Sequence, residues 1–163
     1  MPVTCLTEST KAAVVSLVAE GRYTPCGIGF SKQFVFNARG GPALYVRGDE
    51  WPLVANVEQP IRARIVRFWP GADPDEGEVL TSNLSGPSEW LHEREWRVPG
   101  DLAFNWQDVK FLIVPHPSWQ SYYASWIGSW AGEGYAQYFE SIPAVVMNVD
   151  GSIALDELGI WSE

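Results

Sequence analysis

Glu89-Trp90-Leu91-His92-Glu93-Arg94-Glu95-Trp96-Arg97-Val98 reads as a β-strand, and Pro99-Gly100-Asp101 as the turn that ends it. Successive strand residues point to opposite faces, so Leu91, Glu93, Glu95 and Arg97 share one face, and His92, Arg94, Trp96 and Val98 the other. Glu93 and Glu95 on one face repel, so either one carboxyl keeps its proton or a cation such as Arg97 neutralises the pair. Paired carboxylates on a strand can polarise a sugar hydroxyl and stabilise an oxocarbenium-like centre. The same residues also fit a solvated edge strand with cross-strand ion pairs, each worth about 0.2–1 kcal/mol.

Upstream of this strand the pattern is of short elements. Val3 to Leu6 is an apolar strand, and Thr7 can cap a helix from Glu8 to Glu20 that Gly21 ends. Cys26 to Phe30 is a glycine-rich strand, and Ser31 caps a short helix that stops at Gly40-Gly41. Ala43 to Arg47 is the next strand, and Asp49 to Val57 holds a short helix. Ile61 to Trp69 alternates Ile61, Ala63 and Ile65 with Arg62, Arg64 and Val66, the period of a strand. Pro70 to Ser88 is an acidic loop rich in glycine and proline.

Downstream, Val109 to Val114 is an apolar strand closed by Pro115-His116-Pro117. Ser118 stands where it can cap a helix, along which Trp119, Tyr122, Tyr123, Trp126, Ile127 and Trp130 recur at helical spacing; this aromatic face is expected to be core. Ala144 to Val149 is a strand, Asp150-Gly151 a tight turn, and Ile153 to Leu155 a last strand. Strands outnumber helices and no βαβ alternation runs through the chain. The expectation is an α+β fold: one domain over residues 1–163, with a mostly antiparallel or mixed sheet and a few flanking helices.

The chain has 163 residues, enough to bury a core, and 46% of them are hydrophobic, which excludes wholesale disorder. Eleven basic against twenty acidic residues give a net charge of −9, which disfavours general binding to a phosphate backbone. Nine Trp, six Tyr and seven Phe make the chain unusually aromatic. Met1-Pro2-Val3-Thr4 lacks the basic start of a signal peptide and no run matches a membrane span, so a cytoplasmic protein away from membranes is expected. Cys5 and Cys26, the two cysteines, are expected buried and reduced; with His92 and His116 they lack the spacing of a metal site.

Other signatures are absent or partial. There is no nucleophile elbow, P-loop or HExxH, which removes serine hydrolases, P-loop NTPases and zincins. Asp73-Pro74-Asp75-Glu76-Gly77-Glu78 lacks calcium-loop spacing. Gly27-Ile28-Gly29-Phe30-Ser31 carries only two of the three glycines of a dinucleotide fingerprint. It fits either a ligand close to bare backbone or a packing glycine pair before an ordinary cap.

Three segments in order carry a resemblance: Val3-Thr4-Cys5-Leu6-Thr7-Glu8-Ser9, then Cys26-Gly27-Ile28-Gly29-Phe30-Ser31-Lys32 through Gly41-Pro42-Ala43-Leu44-Tyr45-Val46, then His92-Glu93-Arg94-Glu95-Trp96-Arg97-Val98. Together they resemble the AbiG-type abortive-infection family of bacteria and phages and its relatives, over most of residues 3–101. The arrangement is also similar to the ADP-ribosyltransferase scaffold, in which a serine-bearing strand and a later glutamate strand clamp NAD. That likeness implies an NAD-dependent transferase acting in phage–bacterium conflict. It implies Glu95 and Glu93 as the catalytic carboxylates, Gly27, Gly29, Ser31 and Tyr45 as the residues around NAD, and no metal. Glu95 would bond the nicotinamide ribose, and Tyr45 would stack near the nicotinamide. The first-strand Arg or His of transferases has no counterpart in Val3–Leu6, and Arg22 is the nearest Arg or His. The reading therefore stays open between an active enzyme and one that has lost catalysis. The rival expectation is a non-catalytic acidic, Trp-rich module that occupies a host or phage protein.

Overall fold

The computed structural model describes residues 2–54, 56–68, 94–157 and 159. In chain order the elements begin with β1 (Val3–Thr7), α1 (Lys11–Ala19), β2 (Gly27–Phe30), α2 (Lys32–Asn37), β3 (Gly41–Pro42), β4 (Leu44–Arg47), α3 (Trp51–Val54) and α4 (Ile61–Arg64). They continue with β5 (Ile65–Phe68), β6 (Glu95–Pro99), β7 (Val109–Val114), α5 (Trp119–Ala131), α6 (Glu133–Glu140), β8 (Ala144–Met147) and β9 (Ile153–Asp156). The fold is α+β with both antiparallel and parallel pairings. Chain contacts gather into two compact units, Met1–Ser9 with Val35–Leu102 and Thr10–Phe34 with Ala103–Glu163.

In the first unit three strands pair antiparallel in the order β1-β6-β3. Val3 opposes Pro99 and Thr7 opposes Glu95 on one side of β6, and Gly41 opposes Arg97 on the other. Val98 is fully buried, on the face that Thr4, Leu6 and Trp96 share. Cys5, Thr7, Glu95 and Arg97 share the opposite face. β4 and β5 form a separate parallel pair, Leu44 against Ile65 through Arg47 against Phe68. A parallel pair needs a crossover, and α3 and α4 lie in it.

The strand expected over Ile61 to Trp69 is corrected here. Residues Ile61–Arg64 form a turn of helix and only Ile65–Phe68 is strand, while Trp69 lies outside the described residues. Tertiary contacts override the alternation. The Arg62 guanidinium lies 4.2 Å from the Trp51 ring centroid and bonds the Val54 carbonyl, and Ala63 is buried.

The second unit holds a four-stranded sheet in the order β2-β7-β8-β9. β7 and β8 are parallel neighbours at its centre, and the α5–α6 hairpin is the crossover between them. Every residue of β8 is buried, the continuous apolar run expected of a strand covered on both faces. On one face Val109, Leu112, Val114, Ala144 and Val146 pack with Ala124 and Ile127 of α5 and Phe139 of α6. On the other, Val14 and Val18 of α1 pack on Met147, with Ile113 and Ile153 at the margin.

Two caps differ from expectation. β1 runs on through Thr7, so α1 is capped by Thr10, whose side chain accepts from the Ala13 N–H, and the helix starts at Lys11. Ser118 makes no side-chain cap bond to α5. Ser31 does cap α2, accepting from Phe34 N–H at 3.2 Å. Cys5 and Cys26 were expected inside, but both are exposed and neither is in a disulfide; Cys5 is on edge strand β1 and Cys26 just precedes edge strand β2.

Candidate functional site

Glu95 opens β6, and Arg97 follows it on the same face. The Arg97 Nε–H donates to Glu95 Oε1 at 2.9 Å. The Tyr45 hydroxyl, on β4, donates to the other carboxylate oxygen at 3.3 Å. The Glu95 side chain is only 10% exposed and that of Arg97 23%. The two donors fix the carboxylate in orientation and offset the cost of taking it out of water. Each oxygen keeps acceptor capacity toward a further hydroxyl. Arg97 also cancels much of the negative charge that a developing cation would feel.

The backbone braces this group. The Ala43 N–H donates to the Glu95 carbonyl at 2.8 Å, which carries the β3–β6 pairing up to the start of β4. Arg64 of α4 lies across Gly41, in space a side chain at position 41 would need. Its Nε is buried and has no hydrogen-bond partner among the described residues.

A second carboxylate clamps the same strand from just past the end of β1. Glu8 accepts from Arg94 Nη2 at 2.7 Å and from the Trp96 indole N–H at 2.9 Å. The sequence reading placed Glu8 in a helix and missed this bridge. Its signal was available: a carboxylate one residue past a strand, with Arg94 and Trp96 two apart on one face of the next.

Of the residues expected around NAD, Tyr45 and Glu95 meet directly, through the Tyr45 hydroxyl rather than its ring face. Gly27, Gly29 and Ser31 belong to the other unit, on β2 and its exit. There Gly29 is buried with the Phe111 ring lying where a side chain would be, and Gly27 abuts Ile113. These glycines admit close cross-strand packing. Glu93 and His92 lie outside the described residues, as does the acidic loop 73–78. β6 begins at Glu95, after Arg94 at a φ of 47°.

The aromatic helix gives the clearest departure from the sequence reading. The face expected as core divides. Ala124 and Ile127 are buried, and Trp119 packs on Tyr123 and Phe139. Tyr122, Trp126 and Trp130 instead point to solvent, with 71%, 60% and 64% of their surface exposed. Tyr135 and Tyr138 of α6 are exposed as well. The reason is steric. Gly128 of α5 and Ala136 of α6 bring the two helices close, and small and branched side chains fill the contact with the sheet. That leaves no room on the inner side for three more large rings. Positions 122, 126 and 130 also recur every four residues, so a 3.6-residue period reads the same whether the stripe faces in or out.

Trp126 and Trp130 stand edge to face, their ring centroids 5.6 Å apart and inclined at 65°. The stretch of chain that carries them is acidic in sequence. No Lys or Arg occurs after Lys110, while Glu133 and Glu140 begin and end α6.

Two exposed carboxyls titrate below the usual range. Asp49 is held down by the hydrogen bonds from Arg47, and Asp150 by those from the Ser152 hydroxyl and N–H. Among the described residues no group of three or more His, Cys, Asp or Glu could hold a metal ion, and no helix is long and apolar enough to cross a membrane. Comparison with protein-family models, curated proteins and solved structures finds no match, so the function of this α+β chain is read from its own geometry.

Proposed function

We propose that this protein is a binding module whose working surface is the solvent-facing aromatic row of α5. One observation carries the reading: Tyr122, Trp126 and Trp130 expose most of their surface on a helix whose other face is well packed. Exposed Trp rings concentrated on one face are a common anchor of protein interfaces and a hazard to a protein that does not use them. The partner is a macromolecule, in line with the host or phage protein expected from the acidic, Trp-rich composition.

The test is to immobilise the wild-type chain and a Trp126→Ala/Trp130→Ala chain and expose both to bacterial lysate with and without phage infection. A stoichiometric partner held by the first and lost from the second is the expected result. Recovery of the same proteins by both chains, or of none by either, overturns the reading.

A second reading rests on the Glu95 cluster. A carboxylate fixed by Tyr45 and Arg97 in a nearly dry setting could accept from a ribose hydroxyl of NAD and steady the ribosyl centre as nicotinamide leaves. On this reading the ADP-ribosyltransferase-like architecture applies, and Glu93 is the second carboxylate. Pure protein incubated with NAD would release nicotinamide, and Glu95→Gln would abolish the release. No release and no NAD-dependent rise in melting temperature would remove this reading and leave the first intact.

A further inference from the structure

The chemistry around the aromatic row narrows the partner. Exposed indole and phenol faces carry negative charge at their centres and attract cations, arginine above all. Nothing cationic of the chain's own is near in sequence to compete, since residues 111–163 contain six carboxylates and no Lys or Arg. Glu133 and Glu140, seven residues apart on α6, add their field on one side of that helix. Trp126 and Trp130 meet edge to face, an arrangement that leaves a ring face open instead of stacked.

The spacing is also specific. Residues four apart on a helix rise about 6 Å, so the row spans about 12 Å with a ring at each step. Side chains on one face of an extended strand recur every ~6.6 Å. An extended chain with a basic residue at every second position can therefore seat one cation near each ring.

Resting on the binding-module reading above, we infer that the α5 face takes a basic polypeptide segment of the partner, extended and with Arg or Lys at alternate positions, through cation–π contacts to Tyr122, Trp126 and Trp130. The carboxylates of α6 supply long-range attraction.

The experiment uses the full chain and three synthetic peptides of one length. One carries Arg at alternate positions, one carries citrulline in place of each Arg, and one carries Glu. Binding is followed by indole fluorescence and by calorimetry over a salt series. The Arg peptide is expected to bind, to weaken as salt rises, and to lose about two- to five-fold in affinity for each of Trp126→Leu and Trp130→Leu. Leucine keeps an apolar side chain and removes the ring, and both positions are exposed, so the fold is expected to survive; the melting temperature checks this.

Citrulline binding equal to arginine, affinity unchanged in the Leu variants, or no binding of the Arg peptide each overturns the inference. So does sedimentation that shows the row buried between two copies of this chain. A partner recovered through Trp126 and Trp130 that presents no basic segment would overturn the cationic assignment while leaving the binding module standing. Failure to recover any Trp-dependent partner would remove the module itself.

Discussion

The Asp150–Gly151 turn joins β8 to β9, and one side chain sets its acid sensitivity. Asp150 Oδ1 accepts from the Ser152 hydroxyl at 2.6 Å and from the Ser152 N–H at 2.9 Å, which stabilises its charged form. Its carboxyl therefore titrates below the ordinary value of 3.8. A folded value below the unfolded one gives stability that is complete above the unfolded value and is lost as pH falls through the folded one. Thermal melts taken from about pH 5 down to about pH 1 should fall more steeply for wild type than for Asp150→Asn, which has no proton to gain. Parallel curves would mean that the turn does not sense the charge. At this scale the chain was partly legible. The Arg97 counter-ion to Glu95 follows from two residues two apart on a strand. The Tyr45 hydroxyl does not, because a contact across fifty positions is made by the sheet and leaves no local pattern. The sequence likewise left Gly29 open between ligand and packing, and the Phe111 ring over it is a tertiary fact.

At the scale of elements, the hairpin of α5 and α6 is tied at its open end by one amide. Gln120 Nε2 donates toward the carbonyls of Phe139, Glu140 and Ile142, at 2.7, 3.1 and 2.7 Å. Those carbonyls sit at the end of α6, where helical partners run out. Gln120→Ala should lower stability by about 1–3 kcal/mol, read from the urea midpoint at unchanged slope. Gln120→Glu should fare no better, since a carboxylate presents no donor at neutral pH. The element boundaries that were legible are those with strong local signals: the apolar run of β7, the start of β8, the Ser31 cap, and the glycine that ends α1. Three readings failed for reasons of packing. Alternation over 61–66 resembled a strand until Arg62 and Ala63 found their places in a helical turn. A cap at Thr7 lost to one more residue of strand and a better-placed Thr10. The period of the α5 aromatics gave the helix correctly and its inner face wrongly, because only the neighbouring helix and sheet decide which side has room.

For the whole molecule, the net charge of −9 keeps copies apart while large rings remain in water. That protection vanishes as the pH nears about 4.6, the isoelectric point. Light scattering of wild type should rise sharply there, and Trp126→Gln/Trp130→Gln should scatter much less at the same pH and concentration. Equal scattering would place the sticky surface elsewhere. Composition foretold the acidity and the aromatic excess, and the α+β class followed from counting short strands. The division of both units into sequence-separated pieces was not visible, because it arises from the pairing of β1 with β6 and of β2 with β7, which no neighbouring residues announce. The Trp126–Trp130 pair has an optical consequence as well. Two indole chromophores 5.6 Å apart and inclined at 65° share their excited states. The chain should therefore show an ultraviolet circular dichroism couplet of its own, and a guest that turns either ring by a few tens of degrees should change its sign or size without any added dye.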